Sequence, residues 1–515
     1  MPGLVRGFGD VVVTPHHHST QVAMDVLAAG GNAVDAAIAA NAVQGVVAPE
    51  TCGVGGDLFA LVHRPGEARP LALNASGTAG SGVDADALAA IEDHMPLFGR
   101  HAVTIPGCVA GWQALSERLG RLPLADCLAP AIRHAEGGVV ATEELVGALE
   151  RRGRELAGQP IAAELMPGGR APRLGGRIAR RSLATTLRAI AEGGAAAFYA
   201  GSPARAISDA VGGLITVDDL AGYAPDWVEP MSTAVLGMTG WTIPPNTQGY
   251  LVLATLAALD RLDPTDDPAL ALHREIEAYR AFAWERNDVV ADPRHAPAVD
   301  LLAPGRIAAR AAAIDDDRAG DWPAPGMVPG GTAYLCVLDA EGMGVSLSQS
   351  NFHGLGTTIG AGDAGFLLHN RGGGFTLEPG HPNRLGPGKR PLHTIFPTLW
   401  TEGDRLAALL GTRGGHQQPQ ILTQVARRLW ADGADPEDAQ AAPRWELRAL
   451  DRQGDDTVRL EDGTHADALV RRGHTVEVVG RRGGLGPVSV ITVDRDGLRS
   501  GAPDPRVRTT AAGVR

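Results

Sequence analysis

Thr332 offers the most direct chemistry in the sequence, because two glycines precede it and an apolar segment follows it. Gly330 and Gly331 are flexible, and the residues from Tyr334 to Leu338 are apolar and strand-like, which places the threonine at the mouth of a buried strand. If the bond between Gly331 and Thr332 breaks, the new α-amine of Thr332 can act as a base for its own hydroxyl. On these residues alone, an ordinary turn before a strand is the commoner explanation.

A second predicted strand makes the chemical interpretation stronger. It begins at Val345, after a predicted turn, and runs into a glycine loop that ends at Gly356. Two adjacent strands of this kind bring Ser350 and Asn351 toward the end that carries Thr332. The sequence therefore predicts a hydroxyl and a carboxamide beside the threonine.

Three glycine-rich stretches follow these strands, at 370–375 (Asn-Arg-Gly-Gly-Gly-Phe), 388–394 (Gly-Lys-Arg-Pro-Leu-His-Thr) and 411–418 (Gly-Thr-Arg-Gly-Gly-His-Gln-Gln). With the segment around Thr332, they resemble the γ-glutamyltransferase family of N-terminal-nucleophile hydrolases, and the resemblance extends over nearly the whole chain. It implies an α/β fold, a four-layer αββα sandwich that two subunits from one precursor form jointly.

The same resemblance implies where the precursor is divided. Self-cleavage before Thr332 gives a large subunit, 1–331, and a small subunit, 332–515. Residues 311–331 are polar and rich in proline and glycine, so we expect a mobile linker at the end of the large subunit. A homo-oligomer of such heterodimers is compatible with the sequence.

The resemblance also implies catalytic roles. Thr332 matches the family's nucleophile, and Ser350 matches the hydroxyl that holds it in place. Gly414 and Gly415 match a glycine pair whose backbone N–H groups stabilise an oxyanion, and glycine suits this role because no side chain blocks close approach. The implied reaction is acyl transfer from an amide through a threonyl acyl-enzyme. A solvent-facing strand serine and a simple glycine turn remain open as alternatives.

Two charged contacts of the glutathione-cleaving transferases have no counterpart here. The family's arginine for the glutamyl α-carboxylate falls in 71–76, where Asn74 stands and no arginine occurs. The family's aspartate for the α-amine falls in 371–374, which includes Gly372 and contains no acid. Because each charge-assisted contact contributes about 1.5–3 kcal/mol, we expect weak activity on glutathione.

Three stretches look closer to an oxamate-amidohydrolase-like branch of the family: Ser350-Asn351, 370–375 and 379–383. The family's paired serines become His393 and Thr394. Arg371, His393 and Arg413 could contact a small carboxylate, and each could equally be structural. The predicted substrate-binding residues are Asn74, Asn351, Phe352, Arg371, Gly372, His393, Thr394 and Arg413. A true γ-glutamyl hydrolase or transpeptidase and an unprocessed, non-catalytic binding protein remain as alternatives.

Composition narrows the partners to small molecules. The chain has 515 residues, of which 44% are hydrophobic and 20% charged, and its formal net charge of −13 argues against binding to nucleic acid or to an anionic membrane. The glycine cluster at 53–60 follows a predicted helix and precedes a strand, so it does not predict a dinucleotide cofactor. Adjacent histidines at 16–18 cannot all face one ion without strain, so no metal is predicted. Residues 1–10 lack an apolar signal core, which predicts a cytoplasmic protein.

Overall fold

The computed structural model describes residues 3–323, 330–447, 456–480 and 486–515. Strands and helices alternate along most of this length. The strands are β1 (Val5–Gly7), β2 (Val11–Thr14), β3 (Asp57–His63), β4 (Leu71–Ala75), β5 (Val139–Val140), β6 (Arg177–Ile178), β7 (Asp226–Val228), β8 (Met231–Val235), β9 (Met238–Thr242), β10 (Gly331–Leu338), β11 (Gly344–Phe352), β12 (Thr398–Glu402), β13 (Arg405–Thr412), β14 (Trp445–Leu447), β15 (Val458–Leu460), β16 (Val476–Val478), β17 (Val488–Val493), β18 (Arg499–Pro503) and β19 (Ala511–Val514).

The helices lie mostly in the first three hundred residues. They are α1 (His17–Ala28), α2 (Ala33–Val47), α3 (Ala85–Ala89), α4 (Cys108–Leu119), α5 (Leu124–Gly137), α6 (Glu143–Arg152), α7 (Pro160–Leu165), α8 (Arg181–Tyr199), α9 (Ser202–Ala210), α10 (Val217–Ala221), α11 (Tyr250–Leu259), α12 (Pro268–Ala283), α13 (Arg286–Val289), α14 (Pro304–Ala312), α15 (Gln418–Trp430), α16 (Pro436–Ala441) and α17 (Ala466–Arg471).

Two large antiparallel sheets form the centre of the molecule. One has seven strands in the order β1-β18-β17-β13-β12-β9-β8, and the other has seven in the order β19-β2-β10-β11-β3-β4-β7. Both sheets combine strands from before and after the bond between Gly331 and Thr332. In the second sheet, β10 pairs with β2 on one side and with β11 on the other. A cut at that bond would therefore leave the two pieces sharing both sheets.

Side-chain alternation along the strands stacks these sheets between helices. In β3, Phe59 and Leu61 pack in the cluster between the sheets, whereas Leu58, Ala60 and Val62 pack in a cluster with the helices. This period of two is the ordinary geometry of a strand. On the far side of the first sheet, α11 and α15 contribute to a third cluster. The four layers are helix, sheet, sheet and helix, which confirms the αββα expectation.

Helix α2 is buried along its whole length, and its sequence shows why it forms. Every residue from Ala33 to Val47 is buried, because apolar residues occur on every side of the helix and only Asp35, Asn41 and Gln44 are polar. Asn32 and Asp35 form a reciprocal capping box at its start. Among the described residues, no helix combines the length and the apolar character that crossing a bilayer requires.

The predicted linker, 311–331, falls partly on residues 324–329, which lie outside the described ranges. The described part before them is attached to α12. The Glu277 carboxylate accepts hydrogen bonds from the Gly320 N–H at 2.7 Å and from the Trp322 indole N–H at 3.1 Å. Mobility of the linker as a whole stays a prediction, and this section of it is anchored in the uncleaved chain.

Candidate active site

The paired strands β10 and β11 place Thr332 at their common end. Gly331 stands opposite Phe352, whereas Ala333 stands opposite Gln349, so two residues of β11 face Thr332. This is a β-bulge, which redirects side chains near the end of a strand. Thr332 is only 1% exposed. The predicted strands are confirmed, and the threonine lies in the protein interior.

Three hydrogen bonds converge around the carbonyl of Gly331. The Thr332 hydroxyl donates to the Gly331 oxygen at 2.7 Å, and the Ser350 hydroxyl donates to the same oxygen at 2.6 Å. The Phe352 N–H donates to the Ser350 oxygen at 2.7 Å, which orients the serine hydroxyl. The carbonyl is therefore polarised by two donors, and one of them is the adjacent threonine hydroxyl.

Gly414 and Gly415 lie against the segment that precedes Thr332. Their φ angles are 131° and 57°, conformations that favour glycine. A Cβ on Gly330 would meet the Gly415 Cα at 3.2 Å, so the two backbones are in close contact. Helix α15 begins three residues after Gly415 and directs its N-terminal end toward this contact. The N-terminus of a helix favours developing negative charge.

Two glutamines that the sequence interpretation left without a role join this arrangement. The Gln418 Nε2 donates to the Thr332 Oγ1 at 3.1 Å. The Gln248 Nε2 donates to the carbonyl of Thr394 at 2.9 Å and to that of Gly415 at 3.0 Å, which ties two loops together. Gln418 belongs to the glycine-rich stretch 411–418, so its position beside the glycine pair was the available signal.

A cavity of about 380 Å³ opens beside this site, and Arg371 forms part of its wall. The Arg371 guanidinium lies 3.9 Å above the centre of the Phe352 ring and donates from Nη1 to the Thr394 hydroxyl at 3.1 Å. Its Nη2 is buried and has no hydrogen-bond partner within the described ranges. Burial lowers the pKa of Arg371 to about 9, although the charge of Asp57 opposes this change. An anion in the cavity would supply the missing partner.

His416 and Arg286 extend the polar surface of this cavity. Burial, followed by the charges of Arg286 and Arg371, holds the pKa of His416 well below its ordinary value, so its imidazole is neutral. The Arg286 Nη1 lies within hydrogen-bond distance of the His416 Nδ1 and 3.0 Å from the Gln248 Oε1. Neither His416 nor Arg286 was among the predicted site residues.

His393 was predicted to contact substrate, but the structure places it in an internal network. It is fully buried, and its Nε2 lies 3.0 Å from the Asp57 Oδ2. Burial and the charge of Arg371 lower the pKa of His393 to about 3. The other Asp57 oxygen accepts hydrogen bonds from the N–H groups of Gly77 and Gly107. His393 therefore joins the loop before β12 to the start of β3 through Asp57, and its contact with substrate stays a prediction.

Asn74 and Arg413 also form internal contacts and are not part of the cavity wall. Asn74 donates to the Asn246 Oδ1 at 3.0 Å and accepts from the Ser76 hydroxyl at 2.7 Å. Arg413 forms a two-pronged ion pair with Glu144, at 2.9 and 2.5 Å. Their proposed substrate contacts remain untested by this arrangement.

The last predicted residues divide between the wall and the scaffold. Phe352 and Thr394 line the cavity. Asn351 donates from Nδ2 to the Pro49 carbonyl at 3.2 Å and so supports the loop behind Thr332. Gly372 is buried in a short 3₁₀ turn, Arg371–Gly374, where a Cβ would meet the Ala102 carbonyl oxygen at 2.8 Å. Gly372 therefore allows close packing, and the neighbouring Gly373 and Gly374 line the cavity.

The four-layer αββα fold, with a polar buried site at the end of its central strand pair, is that of an N-terminal-nucleophile hydrolase. The sequence model described as Gamma-glutamyltranspeptidase matches residues 19–514. The chain therefore belongs to the γ-glutamyltranspeptidase family, which confirms the resemblance drawn from its motifs.

Individual relatives are similar over almost their full length. An oxamate amidohydrolase proenzyme of Klebsiella pneumoniae is 37% identical, over 98% of each chain. A glutathione hydrolase-like YwrD proenzyme of Bacillus subtilis is 34% identical, over 99% of each chain. The crystal structure of a cephalosporin acylase from Bacillus halodurans superposes with a TM-score of 0.91 at 33% identity, covering 100% of this chain and 97% of the other.

These similarities define the class of activity. The relatives are proenzymes and acylases, so the chain is an autoprocessing N-terminal-nucleophile amidohydrolase, and a non-catalytic binding protein is not supported. Identity is higher with the oxamate amidohydrolase proenzyme than with the glutathione hydrolase proenzyme of Pseudomonas aeruginosa. The chain thus lies closer to the oxamate-like branch, as the sequence motifs indicated.

Proposed function

We propose that Thr332, released by cleavage of the bond between Gly331 and Thr332, forms an acyl-enzyme with a small amide that carries a carboxylate. The observation that carries this proposal is the Gly331 carbonyl, which accepts hydrogen bonds from both the Thr332 and the Ser350 hydroxyls. A nucleophile and an oxygen-stabilising donor are thereby already in contact with the bond to be cut.

Self-cleavage proceeds by an N-to-O acyl shift. The Thr332 oxygen attacks the Gly331 carbonyl carbon, and the Ser350 hydroxyl stabilises the oxyanion that develops. The C–N bond then breaks, the hydroxyl proton ends on the Thr332 nitrogen, and an ester joins the two residues. Water hydrolyses this ester, which leaves a carboxylate on Gly331 and a free α-amine on Thr332. The products are 1–331 and 332–515.

The mature reaction uses the same oxygen on an external amide. The α-amine of Thr332 takes the hydroxyl proton as the oxygen attacks, and it then delivers that proton to the leaving amine. The backbone N–H groups of Gly414 and Gly415 are our proposed donors to the oxyanion, supported by the close approach of Gly415 to the segment before Thr332. Water, or an acceptor amine, releases the acyl group.

Arg371 supports a substrate with a carboxylate. Its guanidinium lies over Phe352, the residue that pairs with Gly331, and it has one unpartnered nitrogen within the described part of the chain. A carboxylate is a suitable partner for a planar guanidinium. Oxamate, named in the Klebsiella pneumoniae relative, is one small amide of this type. We propose such single-carboxylate amides in preference to glutathione.

The first experiment asks whether Thr332 is both the cleavage point and the nucleophile. We expect purified protein to separate into two chains on a denaturing gel, with the smaller beginning at Thr332 by intact mass. Thr332→Ala should remain one chain and be inactive, whereas Thr332→Ser retains a hydroxyl and should cleave more slowly. Cleavage of the alanine variant between 331 and 332 would overturn the proposal.

The shared sheets support continued association of the two cleaved chains. We expect both to elute together in size-exclusion chromatography without denaturant, and their mass will show whether heterodimers assemble further. Separate elution after complete cleavage would contradict a jointly built fold.

We also propose a cytoplasmic location from the sequence. Cell fractionation tests this location directly, and recovery in a periplasmic or secreted fraction would refute it.

A further inference from the structure

We propose that Gln418 is a catalytic residue that holds the mature nucleophile at two atoms. Its Nε2 donates to the Thr332 Oγ1, and its Oε1 accepts a hydrogen from the α-amine that cleavage creates. This inference rests on the proposed function of Thr332. It assigns a new residue to that site and explains how the amine and the hydroxyl of one threonine are kept in register.

The hydrogen-bond network determines which end of the carboxamide faces the threonine. The Thr332 hydroxyl hydrogen is directed to the Gly331 carbonyl at 2.7 Å, so its oxygen presents a lone pair to Gln418. Only the NH₂ end of a glutamine can donate to that lone pair, and the contact is 3.1 Å. The Oε1 end is then left to accept a hydrogen.

That Oε1 lacks a partner in the uncleaved chain. Gln418 is completely buried, and its Oε1 has no hydrogen-bond partner among the described residues. A buried acceptor left unsatisfied destabilises the structure that holds it. Gln418 begins helix α15, which fixes its backbone and limits how far the side chain can turn away. The structure thus holds an acceptor in place before its donor exists.

Cleavage creates a suitable donor. The amide nitrogen of Thr332 has one hydrogen, and the free amine has additional hydrogens and can rotate. The amine and the hydroxyl are attached to adjacent carbons of Thr332, so one carboxamide can span both. With Oε1 holding an amine hydrogen, the nitrogen lone pair is directed toward the hydroxyl proton, while Nε2 stabilises the oxygen as that proton leaves.

Gln418→Met removes both polar ends while keeping a side chain of similar length. We expect kcat to fall about 10- to 100-fold, with little change in KM, because the lost contacts act on the reacting atoms. The acidic limb of the kcat–pH profile should move to lower pH, because a carbonyl acceptor favours the ammonium form and its loss lowers the amine pKa. Gln418→Glu keeps the acceptor and loses the NH₂ donor, so it should not reproduce that shift.

Gln420→Met is the matched control on the same helix. Gln420 is also buried, but its Oε1 accepts from the Leu447 N–H at 2.7 Å. We expect this variant to lose stability and to keep both kcat and the position of the acidic limb. A twofold or smaller change in kcat for Gln418→Met, with an unmoved limb, would overturn the inference.

Self-cleavage provides a second measurement that does not require mature enzyme. Because the Nε2 contact with Thr332 already exists in the precursor, cleavage of freshly purified Gln418→Met should slow at least several-fold. An unchanged cleavage rate would also count against the inference. Failure of the underlying function is distinguishable, because it would appear as cleavage or activity in Thr332→Ala, whatever Gln418 does.

Discussion

Arg371 and Arg413 lie near the segment that contains Thr332, and they differ in which groups balance their charge. Arg413 is partly buried and has both terminal nitrogens on the Glu144 carboxylate, at 2.9 and 2.5 Å. Burial alone would lower its pKa, but the hydrogen bonds and charge of Glu144 outweigh burial and raise it. Arg371 is fully buried, and its pKa is lowered to about 9 by that burial.

This difference indicates that the two arginines have different roles. The protein itself completes the hydrogen bonding of Arg413, which joins α6 to the loop that carries Gly414 and Gly415. For Arg371, a residue of the cavity wall, the described residues supply a threonine hydroxyl and an aromatic face, and they leave the buried Nη2 without a hydrogen-bond partner. A buried charge without a close counter-ion is costly unless a ligand provides one. We therefore propose that Arg371 binds the substrate and that Arg413 supports the loop of Gly414 and Gly415.

The largest effect should come from Arg371→Met. Removing the charge should lower kcat/KM for carboxylate-bearing amides about 100-fold, since charge-assisted contacts contribute about 1.5–3 kcal/mol. Uncharged amides of the same size should change only a few-fold. The measurement is kcat/KM for pairs of amides that differ in the carboxylate alone.

Arg413→Met removes the same charged group from the arginine that is paired with Glu144. We expect it to affect charged and uncharged amides in equal proportion, because Arg413 acts through the loop and not through the substrate. If Arg413→Met lost the carboxylate preference and Arg371→Met kept it, the two assignments would have to be exchanged.

Sequence alone could not separate these two arginines. Both were equally plausible contacts for a carboxylate, because each stands beside glycines in a family stretch. Their contacts in the fold separate them. Arg413 pairs with Glu144, which is 269 residues away in the chain. Arg371 lies over the ring of Phe352, the last residue of β11. Contacts over such distances leave no local signal in one sequence.

Local patterns did predict the scaffold. The apolar run after Thr332 and the second strand-like segment from Val345 predicted β10 and β11, and the pairing of these strands placed Ser350 beside the threonine. Gln418 was missed because a glutamine after a glycine pair has no distinctive chemistry until the fold brings it to Thr332. Predictions thus succeeded where periodicity or a family motif carried the information, and failed where a side chain gained its role from a distant partner.

The ion pair between Arg413 and Glu144 also affects the pKa of the nearby Glu50. Glu50 is buried, and neither carboxyl oxygen has a hydrogen-bond partner in the described part of the chain. Burial, and then the charge of Glu144, raises the pKa of Glu50 to about 8, while Arg413 and Arg180 oppose this only partly. Glu50 is therefore mostly protonated at pH 7 in the folded protein.

The contribution of Glu50 to the stability of the protein should consequently fall as pH rises from about 4.5 to about 8. In this window the unfolded chain ionises Glu50 and the folded chain keeps it protonated, and each pKa unit corresponds to about 1.4 kcal/mol. Glu50→Gln has no proton to lose, so its melting temperature should fall several degrees less over that window. Thermal unfolding of both forms in the Thr332→Ala background, where every molecule stays uncleaved, measures the difference. Parallel curves would show that Glu50 ionises normally.

Glu144→Gln should have the smallest effect, because Glu50 can replace the lost partner. The substitution removes the charge that pairs with Arg413 and that raises the pKa of Glu50. At pH 8, an ionised Glu50 can then compensate Arg413, and we expect a loss of about 1 kcal/mol, a small value for a half-buried ion pair. The same substitution combined with Glu50→Gln should cost clearly more at pH 8, since Arg413 then has neither carboxylate. Equal melting temperatures for the single and double variants would mean that Glu50 and Arg413 do not interact.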